Sequence, residues 1–236
     1  MKKYLLLWLS LLTTSLSFGQ PNTSNSAVRG VWVPAPRFTD VLHTYENVKK
    51  FVGQLDELNF NSIFLVSYAE TQTIFPSKVL VENTTYTSTD EGYLLAPYLS
   101  GYNKPFKSPT GDPIRDLLDE AHKKNIKVFF WFEYGFMGEG KPIPADDPIL
   151  AKNPHWIGLS NDKKPTNYNN HDYYFNAYHP EVQEYLISLV EEALTLYPDL
   201  DGVQGDDRMP AMPRNSGYDN YTLAQYKAEN NGNLPP

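Results

Sequence analysis

Apolar residues along this chain alternate between short continuous runs and helically spaced stripes. Arg29-Gly30-Val31-Trp32-Val33 is a short run ending before Pro34 and predicts a first strand. From Tyr45 to Leu58, Val48, Phe51, Val52, Leu55 and Leu58 recur at the spacing of one helix face. Asn61 to Tyr68 is continuous enough in Ile, Phe, Leu and Val to predict a second strand buried on both faces. Helical spacing returns over Pro113 to Lys124 through Ile114, Leu117, Leu118 and Ala121, with Asp112 placed to cap it. Ile126 to Phe132 predicts a third strand. Pro180 to Leu196 predicts a third helix whose buried stripe is Val182, Tyr185, Leu186, Leu189, Val190 and Ala193. Gly202 to Gly205 reads as a fourth strand, and Tyr218 to Glu229 begins a further helix.

Strands alternating with helices argue for parallel strands joined by right-handed crossovers. The helix-to-strand turns are short: Asn59-Phe60, Asn125, and Tyr197 to Asp201. The strand-to-helix segments, Ala69 to Asp112 and Glu133 to His179, are long. Long loops on one face only are expected of an α/β fold of the (β/α)8 TIM-barrel type with its site at the C-terminal strand ends. Closure takes about eight such units and four are visible, so the reading is a barrel truncated after about four β/α units. A complete four-stranded open sheet is the alternative.

The start of the chain changes the picture of where it works. Lys2-Lys3, the apolar run Tyr4 to Leu12 and the small residues Ser17 and Gly19 have the order of a secretory signal peptide. The expected division is therefore a leader over 1–19, a linker over 20–27, and the barrel part over 28–236. The protein is expected to be exported, whether periplasmic, cell-surface or secreted, with no stable membrane insertion after cleavage; an uncleaved anchor is the alternative. With no cysteine, a lipid-anchored form and disulfides are excluded, and the core alone must hold the fold. Of 20 basic residues, Lys2 and Lys3 leave with the leader; 18 against 28 acidic residues is a net charge of about −10. Nucleic acid is thus not an expected partner. Aromatics are 14% of the chain, including 17 tyrosines, residues that suit stacking on sugar rings as well as ordinary core use.

Candidate chemistry lies at the strand ends. Asp206 and Asp207 sit where the fourth strand gives way to a loop, and Asp201, about 16 Å away along the strand, belongs to the opposite face. Asp206 shares parity with Gln204, whereas Asp207 points the other way, so the two aspartates should not share a role. Arg208 is placed to hold one of them ionised. A calcium loop or a salt-bridged turn is the structural alternative. Glu133 follows Trp131-Phe132 and Glu70 follows Tyr68-Ala69. Carboxyl groups from several strand ends suit glycosidic hydrolysis, where one protonates the leaving oxygen and another attacks or activates water. Trp131, Tyr134 and Tyr68 are candidate stacking surfaces, and Arg29 is a candidate orienting partner for a carboxylate. The five histidines show neither HxH nor HExxH spacing, so no metal site is expected. There is no GxSxG motif and no glycine-rich phosphate loop, and no cofactor is expected.

Several of these segments together resemble the glycosyl-hydrolase-like family ten barrels. The likeness runs from Arg29 to about Tyr226. It rests on Arg29-Gly30-Val31-Trp32, Leu58 to Ser62, Phe75-Pro76-Ser77-Lys78, Ala121 to Lys124 before Val128 to Phe132, His179-Pro180-Glu181-Val182, and Asp201-Gly202-Val203 through Asp206-Asp207-Arg208. The resemblance implies a (β/α)8 barrel acting on glycosidic bonds, with the aspartates after the fourth strand in the site. It also implies that a second half of the barrel is absent here. Where members often carry an Arg-Pro-Asp-Gly-Asp-like run, this chain has Tyr68-Ala69-Glu70-Thr71-Gln72; where many have Trp-Phe-Asn, it has Trp131-Phe132-Glu133. The expected function is hydrolysis of an extracytoplasmic polysaccharide or oligosaccharide, with peptidoglycan glycan and other cell-surface or dietary glycans equally open. Asp206 is expected as nucleophile or stabilising carboxylate, Asp207 as its orienting neighbour and Glu133 as acid. A non-catalytic glycan-binding barrel and an inactive fragment are the rival readings.

Overall fold

The computed structural model describes residues 27–100, 109–140, 144–168, 172–206, 209 and 212–235, with the backbone alone at 99, 100, 139, 140 and 168. The leader, Asp207, Arg208, His171 and Lys141 lie outside the described residues. The elements run in chain order as β1 (Gly30–Val33), α1 (Tyr45–Glu57), β2 (Ser62–Ala69), β3 (Gln72–Thr73), α2 (Lys78–Asn83), α3 (Ala96–Ser100), α4 (Pro113–Lys123) and β4 (Lys127–Phe132). They continue as β5 (Met137–Gly140), α5 (Pro148–Lys152), β6 (Asn167–Tyr168), β7 (Asp172–Tyr174), α6 (Pro180–Leu196), β8 (Gly202–Gly205) and α7 (Asn220–Glu229). The four expected strands form one parallel sheet in the order β1-β2-β4-β8. Sequential parallel order is what right-handed β/α crossovers produce. No helix among the described residues is long and apolar enough to cross a membrane.

The caps explain where the helices begin. Asp112 accepts from the backbone N–H groups of Ile114 and Arg115, with Pro113 in the first turn; Thr44 and Asp219 cap α1 and α7 in the same way. Both short helix-to-strand turns place an asparagine in the left-handed region, Asn59 at φ 58° and Asn125 at φ 56°. Asparagine tolerates that conformation, which lets the chain reverse into the next strand within two residues.

The two faces of the sheet differ. One row, Ile63, Leu65, Val128, Phe130 and Phe132, is buried against the helices. There it meets Val48, Val52 and Leu55 of α1, Leu117 and Ala121 of α4, and Leu186 and Leu189 of α6. Phe130 lies parallel to Phe75 at 5.9 Å and edge-on to Tyr197 at 5.5 Å, closing the outer core. The opposite, concave face carries Trp32, Phe64, Phe129, Trp131 and Gln204, and Trp32 there is 48% exposed.

The two long strand-to-helix segments are more structured than their composition suggests. The first contains β3, α2 and α3. The second folds into a three-stranded antiparallel sheet, β5-β7-β6, beside α5. Asp147, fully buried, caps α5 by accepting from Ile149 and Leu150.

Candidate active site at the strand ends

The concave face is built in layers set by the parallel register. Trp32, Phe64, Phe129 and Gly202 occupy one row across the four strands. Their rings form a ladder: Trp32 and Phe64 stack at 4.8 Å, Phe64 and Phe129 at 5.1 Å. Gly202 completes the row without a side chain, and a Cβ there would sit 3.2 Å from the Phe129 ring. The next row toward the C-terminal ends is Val66, Trp131 and Gln204. Gln204 accepts from the indole N–H of Trp32 at 3.1 Å, and among the described residues the buried Nε1 of Trp131 has no hydrogen-bond partner.

Above these rows stand the carboxylates. The last register pair of β4 and β8 is Phe132 with Gly205, so Glu133 and Asp206 are the next residue on each strand. The N–H of Asp206 still donates to Phe132 at 3.4 Å, and the N–H of Glu133 to Tyr68 at 3.0 Å, which keeps both backbones in the ladder. Adjacent strands lie about 4.8 Å apart, so the two residues leave the sheet side by side. Parity places both on the concave side, with Trp131 and Gln204 beneath. Met209 packs over Gly135 and Gly205 and donates its N–H to Asp206 at 3.2 Å.

Glu70 lies at the end of the neighbouring strand, but as a turn residue. Glu70 and Thr71 link β2 to β3 with φ of 51° and 57°, a tight hairpin made without glycine. Arg37, in the segment after β1, pairs with the Glu70 carboxylate and stacks on Phe38 at 4.7 Å. Beside this pair lies a pocket of about 180 Å³ lined by Arg37, Gln72, Tyr93, Leu94, Pro97 and Tyr98. Arg37 was missed by sequence reasoning, although its place after the first strand marks it as a mouth residue.

Two sequence expectations are corrected. Tyr68 is not a stacking surface: it is fully buried among the outer core, edge-on to Tyr185 at 6.4 Å with their hydroxyls 3.4 Å apart. The cause is a register shift between Val66 and Tyr68, where β2 advances two residues against one of β4 and so pairs Tyr68 with Phe132. That bulge reverses the parity and sends the ring to the helix side. Burial pushes the hydroxyls of Tyr68 and Tyr185 far above the usual phenol range. Arg29 is likewise remote from the site. It precedes β1, at the N-terminal end of the sheet, where its side chain donates to the Asn59 carbonyl and its N–H to Asn61 at 2.8 Å. Tyr134 is half-buried and packs against the core. Asp201 does occupy the far end of β8, accepting from Val128 N–H at 2.8 Å and pairing with His122 at 3.0 Å.

Four sequential parallel strands, a concave aromatic face and carboxylates at the C-terminal ends define part of a (β/α)-barrel. The chain belongs to the glycosyl hydrolase-like 10 family, whose profile matches residues 27–236. Among curated relatives, the glycosyl hydrolase DigH of Escherichia coli K12 is 29% identical over 187 residues, covering 74% of this chain and 37% of that protein. The glycosyl hydrolase YngK of Bacillus subtilis is 22% identical over 204 residues, covering 82% of this chain and 35% of that one. The chain thus spans little more than a third of the length of the curated relatives it matches. Among solved structures, α-L-fucosidase isoenzyme 2 of Paenibacillus thiaminolyticus shares the fold at a TM-score of 0.54 and 15% identity, covering 89% of this chain and 26% of that one. A hypothetical protein of Ruminiclostridium thermocellum does so at 0.52 and 14%, covering 83% and 90%.

Proposed function

We propose that the protein hydrolyses glycosidic bonds of an extracytoplasmic polysaccharide, with Asp206 and Glu133 as its working carboxylates. The observation that carries this reading is their position, each one residue past the last register pair of two adjacent strands. Two carboxyl groups rising from neighbouring strands suit a pair that flanks one glycosidic bond, the arrangement glycosidases use. In this reading Asp206 attacks the anomeric carbon while Glu133 protonates the leaving oxygen and then deprotonates the incoming water. Trp131 supplies a flat edge of the cleft, and the pocket beside Arg37, with Tyr93 and Tyr98, receives a neighbouring sugar. Family membership and the signal-peptide-like start support a glycan met outside the cytoplasm.

The test is turnover of a polysaccharide panel, peptidoglycan glycan included, by the full-length protein and by its Asp206→Asn and Glu133→Gln variants. Each substitution should lower turnover at least tenfold, and NMR of the first product should show a retained anomer. Glycan binding without turnover by the unsubstituted protein would instead establish a binding barrel. Undiminished turnover in both variants would remove these residues from the chemistry.

A further inference from the structure

We propose that His155, His179 and Glu181 form a binding site for one divalent cation of the zinc class, independent of the strand-end carboxylates. One ring nitrogen from each histidine and one carboxylate oxygen of Glu181 lie within 4.8 Å of one another. Two imidazoles and a carboxylate are the donor set that suits zinc and its first-row neighbours, not the oxygen-seeking magnesium or calcium. Ligand atoms around such an ion stand about 3.3 Å apart, given bonds of 2.0–2.1 Å to nitrogen and oxygen. His155 and Glu181, now 2.7 Å apart, would open slightly to admit it, and His179 would close in.

Three further observations bear on the site. Among the described residues, the buried Nδ1 of His179 has no hydrogen-bond partner. Leaving a buried polar atom unpaired is unfavourable, and the ring of this imidazole lies against Tyr221 at 4.8 Å and His155 at 5.3 Å. The Oε2 of Glu181 that faces His155 also accepts from the indole N–H of Trp156 at 2.9 Å, which fixes the carboxylate and leaves its Oε1 for a further contact. An open groove lined by Trp156, Pro180, Glu181 and Glu184 runs alongside and gives an ion a way in. The positive end of α6 works against a cation, and Glu181 in its first turn offsets that charge. An ion here would tie the β4-to-α6 excursion, through His155, to the first turn of α6. Histidines 24 residues apart escape any local motif, which is why the sequence gives no sign of the site.

The experiment is titration of the full-length, metal-stripped protein with Co²⁺ and Zn²⁺, followed by calorimetry and by the visible bands of bound Co²⁺. One ion per chain is expected, with affinity at least tenfold weaker in His155→Ala and in Glu181→Gln, and with a melting temperature raised by Zn²⁺ in the parent but not in His155→Ala. His155 is half exposed, so its replacement leaves the core untouched. The proposal is overturned if no ion binds, if both variants bind as tightly as the parent, or if Mg²⁺ or Ca²⁺ competes on equal terms.

Discussion

The indole N–H of Trp32 donates to the Oε1 of Gln204 at 3.1 Å, joining the first and the last of four parallel strands across 172 residues of sequence. With neighbours about 4.8 Å apart, a flat sheet would separate those strands by about 14 Å. The side chains meet because the sheet curls toward this face, as the strands of a barrel do. On the same face the register sets Trp32, Phe64 and Phe129 side by side as one ladder.

The hydrogen bond can be removed without disturbing the rings. Trp32→Phe keeps an aromatic against Phe64 and deletes the donor to Gln204. It should cost the full-length protein about 0.5–1.5 kcal/mol in urea unfolding. Gln204→Leu alone should cost a similar amount, and the double variant should cost less than the two together. Additive losses would mean that the two side chains do not share the bond.

Tyr68→Phe separates the corrected position of Tyr68 from the sequence expectation. The hydroxyl faces Tyr185 inside the outer core, so its loss should lower stability by about 1 kcal/mol and leave glycan turnover and KM within twofold of the parent. A rise in KM with unchanged stability would return Tyr68 to the cleft.

What the sequence disclosed and what it hid follow from the range of the interactions. The four strands and their crossover helices were legible to within two residues because each is specified by local periodicity and by a cap such as Asp112 or Thr44. Asp206, Glu133 and Gln204 were legible as strand-end groups because parity carries one or two residues past a strand. Parity failed at Tyr68, since a bulge depends on how two strands pair and leaves no mark in either alone. The Arg37–Glu70 pair was illegible because its partners meet only once β1 and β2 have paired, and the Trp32–Gln204 bond because its partners meet across the whole four-stranded sheet. Arg29 misled because proximity to a strand says nothing about which end of it faces the site.

Two glycines make opposite predictions. A Cβ on Gly30 would lie 2.5 Å from the Phe64 ring, so Gly30→Ala must push the aromatic ladder and should cost about 1–3 kcal/mol. Gly53 lies inside α1, and beyond its own helix turn no atom of the described residues comes within 4 Å of the added Cβ, so Gly53→Ala should raise stability by about 0.5–1 kcal/mol. Paired denaturant melts of the full-length variants read both, and equal shifts would discredit the layered packing of the concave face.

Acid should weaken the packing of α1 against α4 through Glu120. Its carboxylate accepts from the Lys123 ammonium at 2.6 Å and from the Tyr45 hydroxyl at 2.9 Å. Lys123 chiefly, with Tyr45 adding, holds its pKa below the usual carboxylate range. A lowered folded pKa means that the unfolded chain binds more protons in the window between the two values. The contribution is therefore complete above the unfolded value of about 4.3 and is lost as pH falls through the folded one. Unfolding free energy measured from pH 7 to pH 3 should decline less steeply in Glu120→Gln than in the parent. The variant will keep some slope, because Glu91, held low by Thr87, and Asp162, held low by Ser160 and Lys164, carry the same sign. Identical slopes in parent and variant would show that Glu120 is solvated alike in the folded and unfolded chains, and that the Tyr45 hydroxyl contributes nothing to holding α1 on α4.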